Sequence, residues 1–235
     1  MSLKIKINRD YNCIGEYLYT KSEISLEPGI SVLVGCNGSG KSTLIRQIKD
    51  YCEHNKIFCL EYDNLMDGGG KARDAAAFHG DMELLGTLMT SSEGESIYTN
   101  VGTFVNKFGR LLRKISQNNL NDYEKEFQND KIFIVLDAVD SGLSIDIVVE
   151  LKDFLNTLII PDCQRFGITP YIVISTNAYE FAHGEDCIDI QHMEHMKFES
   201  YEQYKEFIMS TAEFKNNREK VLKTKKGRRK ISNED

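Results

Sequence analysis

The chain has 235 residues, 41% of them hydrophobic and 28% charged, with a formal net charge of −7. That length suits one α/β domain better than two, and the balance of apolar and charged residues excludes a wholly disordered or low-complexity polymer. No window approaches the roughly 18–20 apolar residues that cross a bilayer, and the opening MSLKIKINRD alternates polar and apolar residues where a signal peptide would be continuously apolar. The expectation is a soluble, cytoplasmic protein that does not engage a membrane.

In chain order, Leu3 to Asn8 and Gly15 to Thr20 alternate with the two-residue period of half-buried strands, which predicts an antiparallel β part at the amino end. Ile30 to Val34 is a near-continuous apolar run, the pattern of a strand covered on both faces. Helical spacing follows from Ser42 to Cys52, with Leu44, Ile45 and Ile48 on one side, and Lys56 to Leu60 reads as another strand. Lys71 to Met89 and Tyr98 to Ile115 read as helices, separated from the strongest strand signal, KIFIVL at Lys131 to Leu136, by the polar stretch Gln117 to Asp130. A helix from Ile145 to Ile159, a strand from Tyr171 to Ser175, a hairpin over Cys187 to Ile190 and Met196 to Glu199, and a terminal helix from Ser200 to Thr224 complete the reading. Alternating strands and helices imply an α/β fold with a mixed, mostly parallel central sheet flanked by helices. Residues 1–214 form the expected single domain and 215–235 a basic helix or tail, because Lys215 to Lys230 holds nine basic residues against the single acid Glu219.

The chemistry concentrates at Gly35 to Thr43, GCNGSGKST, which fits the Gly-x4-Gly-Lys-Ser/Thr pattern and lies between a predicted buried strand and a predicted helix. A polyphosphate needs many preoriented donors, and glycines let backbone N–H groups turn inward while the helix aims its positive end at the same place. The expected ligand contacts are Asn37, Gly38, Ser39, Gly40, Lys41, Ser42 and Thr43, with Lys41 on the outer phosphates and the Ser42 hydroxyl on a magnesium ion. Asp137, which ends KIFIVLD, is the expected carboxylate partner of that ion. ATP and Mg2+ are therefore the expected ligands.

The loop GCNGSGKST followed by LI, the segment IFIVLDAVDSGLS and the strand ending in IVISTN together resemble the ATP-binding-cassette class of ATPases, closest to the heads of SMC, RecN and RecF-like proteins. The resemblance implies a P-loop NTPase of ABC type, working as an ATP-dependent homodimer in which a signature loop from one copy closes on nucleotide held by the other. SSEGE at Ser91 to Glu95 is similar to that signature and places Ser92 and Gly94 on its serine and second glycine, although Glu93 stands where glycine or serine is usual. The sequence departs from the family in two places. Ala138 occupies the position of the water-activating glutamate, and Asn177 that of the switch histidine. Three readings of Ala138 stay open: an engineered trap, a natural slow ATPase, or a base supplied by Asp140. Asp137, Asp140 and Asn177 are the candidate catalytic residues, and Asp63 or Asn64 the best candidates for the magnesium-sensing loop position. Leu136 follows Lys41 by 95 positions, too few for a coiled-coil arm.

The resemblance also suggests a switch acting on a nuclease or other DNA-processing partner in repair, phage biology or anti-phage defence, with DNA contact through the basic tail as an alternative to a merely solvated tail. The rival functions are a non-hydrolysing ATP-gated scaffold and a small-molecule kinase, the latter lacking an arginine-rich lid here. His192 and His195 read as surface histidines, Asp67 to Gly70 as a flexible loop, and the six scattered cysteines as reduced thiols.

Overall fold

The strongly apolar strands find partners on both faces. In the computed structural model, which describes residues 2–11, 17–63, 93–141, 143–213 and 215, six strands form one sheet: β3 (Gly29–Val34), β4 (Ile57–Asp63), β5 (Gln128–Asp137), β6 (Thr169–Ser175), β7 (Asp186–Asp189) and β8 (Glu194–Met196). Their order is β4-β5-β6-β3-β7-β8, parallel throughout except for the antiparallel β7–β8 pair. Two strands, β1 (Leu3–Lys6) and β2 (Glu23–Leu26), form a small antiparallel sheet of their own.

Alternation within each central strand divides the core in two. Val32, Ile134, Ile172 and Ile174 face one cluster with Phe104, Phe108 and Leu112 of helix α2 (Glu93–Ser116) and Val148 and Leu151 of α3 (Ile145–Phe154). Leu33, Phe133, Val135, Val173 and Ile188 face the other, covered by Leu44, Ile45 and Ile48 of α1 (Lys41–His54) and by Ile5, Ile24 and Leu26 of the small sheet. A strand apolar on both sides is the consequence of this three-layer arrangement, not of unusual composition.

Several expectations are refined. The second strand of the small sheet is Glu23–Leu26 instead of Gly15 to Thr20. Gly15 and Glu16 lie outside the described residues; within the rest of that stretch Leu18 N–H donates to the carbonyls of Arg9 and Asp10 at 3.1 and 2.8 Å, so Tyr17 to Thr20 does not pair with β1. Helix α3 continues as a π-turn at Leu155–Ile159 and then as α4 (Ile160–Arg165), with Pro161 in its first turn. Helix α2 begins at Glu93, earlier than Tyr98, and β5 at Gln128, earlier than Lys131. A short helix α5 (Tyr179–Ala182) follows β6, and residues 201–213 form the C-terminal helix α6. The predicted helix at Lys71 to Met89 lies outside the described residues. No helix among the described residues is long and apolar enough to cross a membrane.

Phe133 is fully buried and stacks on Tyr171 with centroids 5.1 Å apart. Phe133→Ala is expected to destabilise the fold by about 3–5 kcal/mol in urea unfolding, without changing the slope that reports exposed area.

Candidate functional site

The carboxyl ends of β3, β5 and β6 arrive side by side, since Leu33 pairs with Ser175 and Ser175 with Asp137. This register brings the Gly35–Thr43 loop, Asp137 to Asp140 and Asn177, which are far apart in sequence, to one edge of the sheet. Crevices at such strand ends are where open α/β sheets place ligands.

Within the loop, Gly35, Gly38 and Gly40 have φ values of 150°, 75° and 106°. At Gly35 a β-carbon would stand 2.7 Å from Ile190 Cγ2, so a side chain is excluded by contact as well as by backbone angle. Gly40 is the N-cap of α1 and offers no side-chain cap, and no acid occupies the first turn. The first N–H groups of that 14-residue helix therefore point outward with the positive end of its dipole uncompensated. Ser42 is exposed at the second helical position. Tyr19 stabilises the loop from behind: its buried hydroxyl donates to Gly40 O at 2.8 Å, and burial pushes the phenol's pKa well up, so it remains a donor.

The Lys41 side chain is 8% exposed. Its ammonium donates to Gly35 O at 2.6 Å, Cys36 O at 3.3 Å and Asn177 Oδ1 at 3.3 Å, which uses all three protons. Burial lowers its pKa from the ordinary lysine value, while Cys36, Asp140 and Asp137 act in the opposite direction. Asn177 is oriented by the same contact, because only its oxygen can accept from an ammonium. Its Nδ2 then donates to Asn37 Oδ1 at 3.1 Å and its backbone N–H to Asp140 Oδ2 at 3.1 Å. Asn37, Lys41, Asp140 and Asn177 thus form one connected network.

Asp137 is 6% exposed, and its Oδ1 is buried with no hydrogen-bond partner. A buried, unmatched carboxylate oxygen is costly, and a hard divalent cation is the ligand chemistry that would satisfy it. The donor set therefore fits a magnesium ion. Ala138 adopts the left-handed conformation at φ 50°, in a turn closed by Ser141 N–H to Ala138 O at 3.0 Å.

The remaining predicted residues distribute unevenly. Gly94 lies in the first turn of α2, whereas Ser92 and Asn64 lie outside the described residues. Asp63 ends β4 in register with Asp137. His192 and His195 each bond a carboxylate, Asp189 at 2.6 Å and Asp186 at 2.8 Å respectively, and no metal-binding cluster occurs among the described residues. The described cysteines are free.

Three features have no clear sequence signal. Thr211 Oγ1 on α6 accepts from Cys36 N–H at 3.1 Å. Lys215 Nζ donates to Asn37 O at 2.9 Å. At the edge of the site the exposed rings of Tyr11 and Tyr17 stack with centroids 4.7 Å apart, and the Arg9 guanidinium lies 3.9 Å from the Tyr17 centroid. Asp10, between Arg9 and Tyr11 in sequence, accepts from Gln47 on α1 at 2.9 Å, so this aromatic step adjoins the helix that carries Lys41.

No protein-family model matches the chain, and none of the curated proteins matches it.

Because a β-carbon is strained at positive φ, Ala138→Gly is expected to stabilise the protein by about 1 kcal/mol, read as a raised urea midpoint at unchanged slope. An unchanged or lowered midpoint would show that the turn carries no strain there.

Proposed function

We propose that this protein is a Mg-ATP-binding ATPase head of the ABC type that dimerises around nucleotide and switches a partner. One observation carries the reading: a loop with three left-handed glycines joins a buried strand to an uncapped helix, with a buried ammonium at their junction and an unmatched carboxylate oxygen two strands away. Together the components favour a polyanion and the cation that accompanies it.

In this reading the N–H groups from Gly38 to Thr43 wrap the phosphates, and Lys41 exchanges its carbonyl partners for phosphate oxygens. Ser42 and Asp137 hold magnesium, which neutralises phosphate charge when bound. Tyr11, Tyr17 and Arg9 offer planar surfaces for the base. Asn37 and Asn177 face the outer phosphate end and can orient a water. Hydrolysis is slow because Ala138 provides no base, and Asp140 already accepts from the Asn177 backbone through one oxygen. The first turn of α2, with Gly94, is the surface offered to nucleotide held by a second copy, Ser92 being assigned beside it on sequence alone.

A second reading, a scaffold gated by ATP without turnover, is favoured by the methyl group at position 138. Phosphate release separates them: Ala138→Glu is expected to accelerate turnover at least tenfold if the site is an ATPase lacking only its base, and to leave it unmeasurable if the site is a scaffold. DNA or a nuclease is proposed as the partner from the family resemblance and the basic segment after Lys215.

Two measurements test nucleotide binding itself. Lys41→Ala should weaken Mg-ATP binding roughly a hundredfold by titration calorimetry, since a charged hydrogen-bond donor is lost; undiminished affinity would overturn the proposal. Affinity should also fall on the alkaline side at a lower pH than an exposed lysine would give. The lowered pKa releases the Lys41 proton earlier as pH rises, and below that pKa the full charge is present. Light scattering with and without Mg-ATP should report doubling of mass.

A further inference from the structure

Helix α6 is seated on the glycine loop by one face. Tyr204 packs against Phe198 with centroids 5.1 Å apart, Ile208 packs against the same core, and Thr211 and Lys215 follow at helical spacing. The Thr211 hydroxyl is satisfied in both directions, accepting from Cys36 N–H at 3.1 Å and donating to Ile208 O at 2.8 Å. This pins the helix to the loop, and four residues later Lys215 reaches Asn37.

The placement of Lys215 is specific. Its Nζ donates to Asn37 O at 2.9 Å and stands 2.7 Å from where a β-carbon on Gly38 would be, so the missing side chain of Gly38 makes room for the ammonium. Lys41 Nζ holds the carbonyls of Gly35 and Cys36 immediately before it. Two ammonium groups therefore occupy three consecutive carbonyls of one loop. Among the described residues neither has a carboxylate within ion-pair distance. Like charges gathered in this way repel each other until a polyanion lies between them, and they then favour the ligand with the most negative charge.

The end of the site is also defined. Tyr19 supports Gly40 at one end of the loop, while Asn37 joins Asn177 and, through it, Asp140 at the other. Lys215 contacts Asn37, so its charge lies at the Asp140 end, where the outermost phosphate falls if the base rests by Tyr11 and Tyr17.

We propose that Lys215 is a specificity-determining ligand for the terminal phosphate of a bound nucleoside triphosphate, delivered by a helix latched to the loop through Thr211. The inference rests on the phosphate-binding reading of Gly35–Thr43. Titration calorimetry of the full chain with Mg-ATP and Mg-ADP tests it. Lys215→Ala should lower ATP affinity roughly tenfold and leave ADP affinity within about twofold, whereas Lys215→Arg should keep most of the preference for ATP. Thr211→Val, which releases the latch but keeps the charge, should lose part of the same preference. Equal losses for both nucleotides in Lys215→Ala would make the contact merely structural and overturn the proposal, as would unchanged ATP affinity. Wild-type protein that binds neither nucleotide would instead overturn the phosphate-binding reading itself. Wild-type binding of both, with no selective loss in the variants, defeats the Lys215 assignment alone.

Discussion

A buried ammonium group cannot stay in a protein interior without acceptors, and Lys41 obtains three from the loop it follows and from Asn177. That requirement organises the whole edge of the sheet. The carbonyls of Gly35 and Cys36 must turn toward Lys41, which only a loop rich in left-handed conformations allows, and their N–H groups consequently turn elsewhere. One face of the loop is thereby made acceptor-rich toward lysine, while on the other side the Cys36 N–H is taken by Thr211 Oγ1. The lowered pKa of Lys41 is the electrostatic counterpart: burial disfavours the charge, and an incoming anion would restore it.

The sheet supplies the rest by register. Parallel pairing of β5, β6 and β3 puts Asp137, Ser175 and Leu33 in line, so that whatever follows each strand shares one rim. The order of the strands matters as much as their content. Inserting β6 between β3 and β5 brings Asn177 between the glycine loop and Asp140, where it bonds to both sides. Asparagine can do this because it donates and accepts simultaneously, and the same property holds it in a single orientation.

The turn after β5 combines a strained alanine with an acid whose buried oxygen lacks a partner. Such combinations survive where the surrounding structure imposes them, here through the Ser141 to Ala138 bond and the grip of Asp140 on Asn177. Proposed nucleotide binding and proposed slow turnover then have one physical origin: the network that prepares the loop for charge also engages Asp140, two residues beyond position 138. Helix α6 adds a third layer of constraint, since its hydroxyl and its ammonium contact the two residues that begin the loop's turn.

Much of this was legible in the residues alone. Continuous apolar runs at Ile30 to Val34 and Lys131 to Leu136 fit doubly covered strands, and the spacing of glycines before Lys41 favours a turn into a helix, because both depend on local backbone and burial preferences. Those features determined the α/β class, the place of the loop and the position of Asp137 at a strand end. The small sheet's second strand was harder to place, since Gly15 to Thr20 and Glu23 to Leu26 both alternate and only the pairing of Glu23–Leu26 with β1 decides between them. Tertiary structure alone decided that Tyr19 would support Gly40, that Asn177 would join Lys41 to Asp140, and that Thr211 and Lys215 would meet Cys36 and Asn37. These contacts join residues up to 178 positions apart, and no local preference encodes them. They follow from strand order and from the packing of the last helix, which only the assembled core specifies.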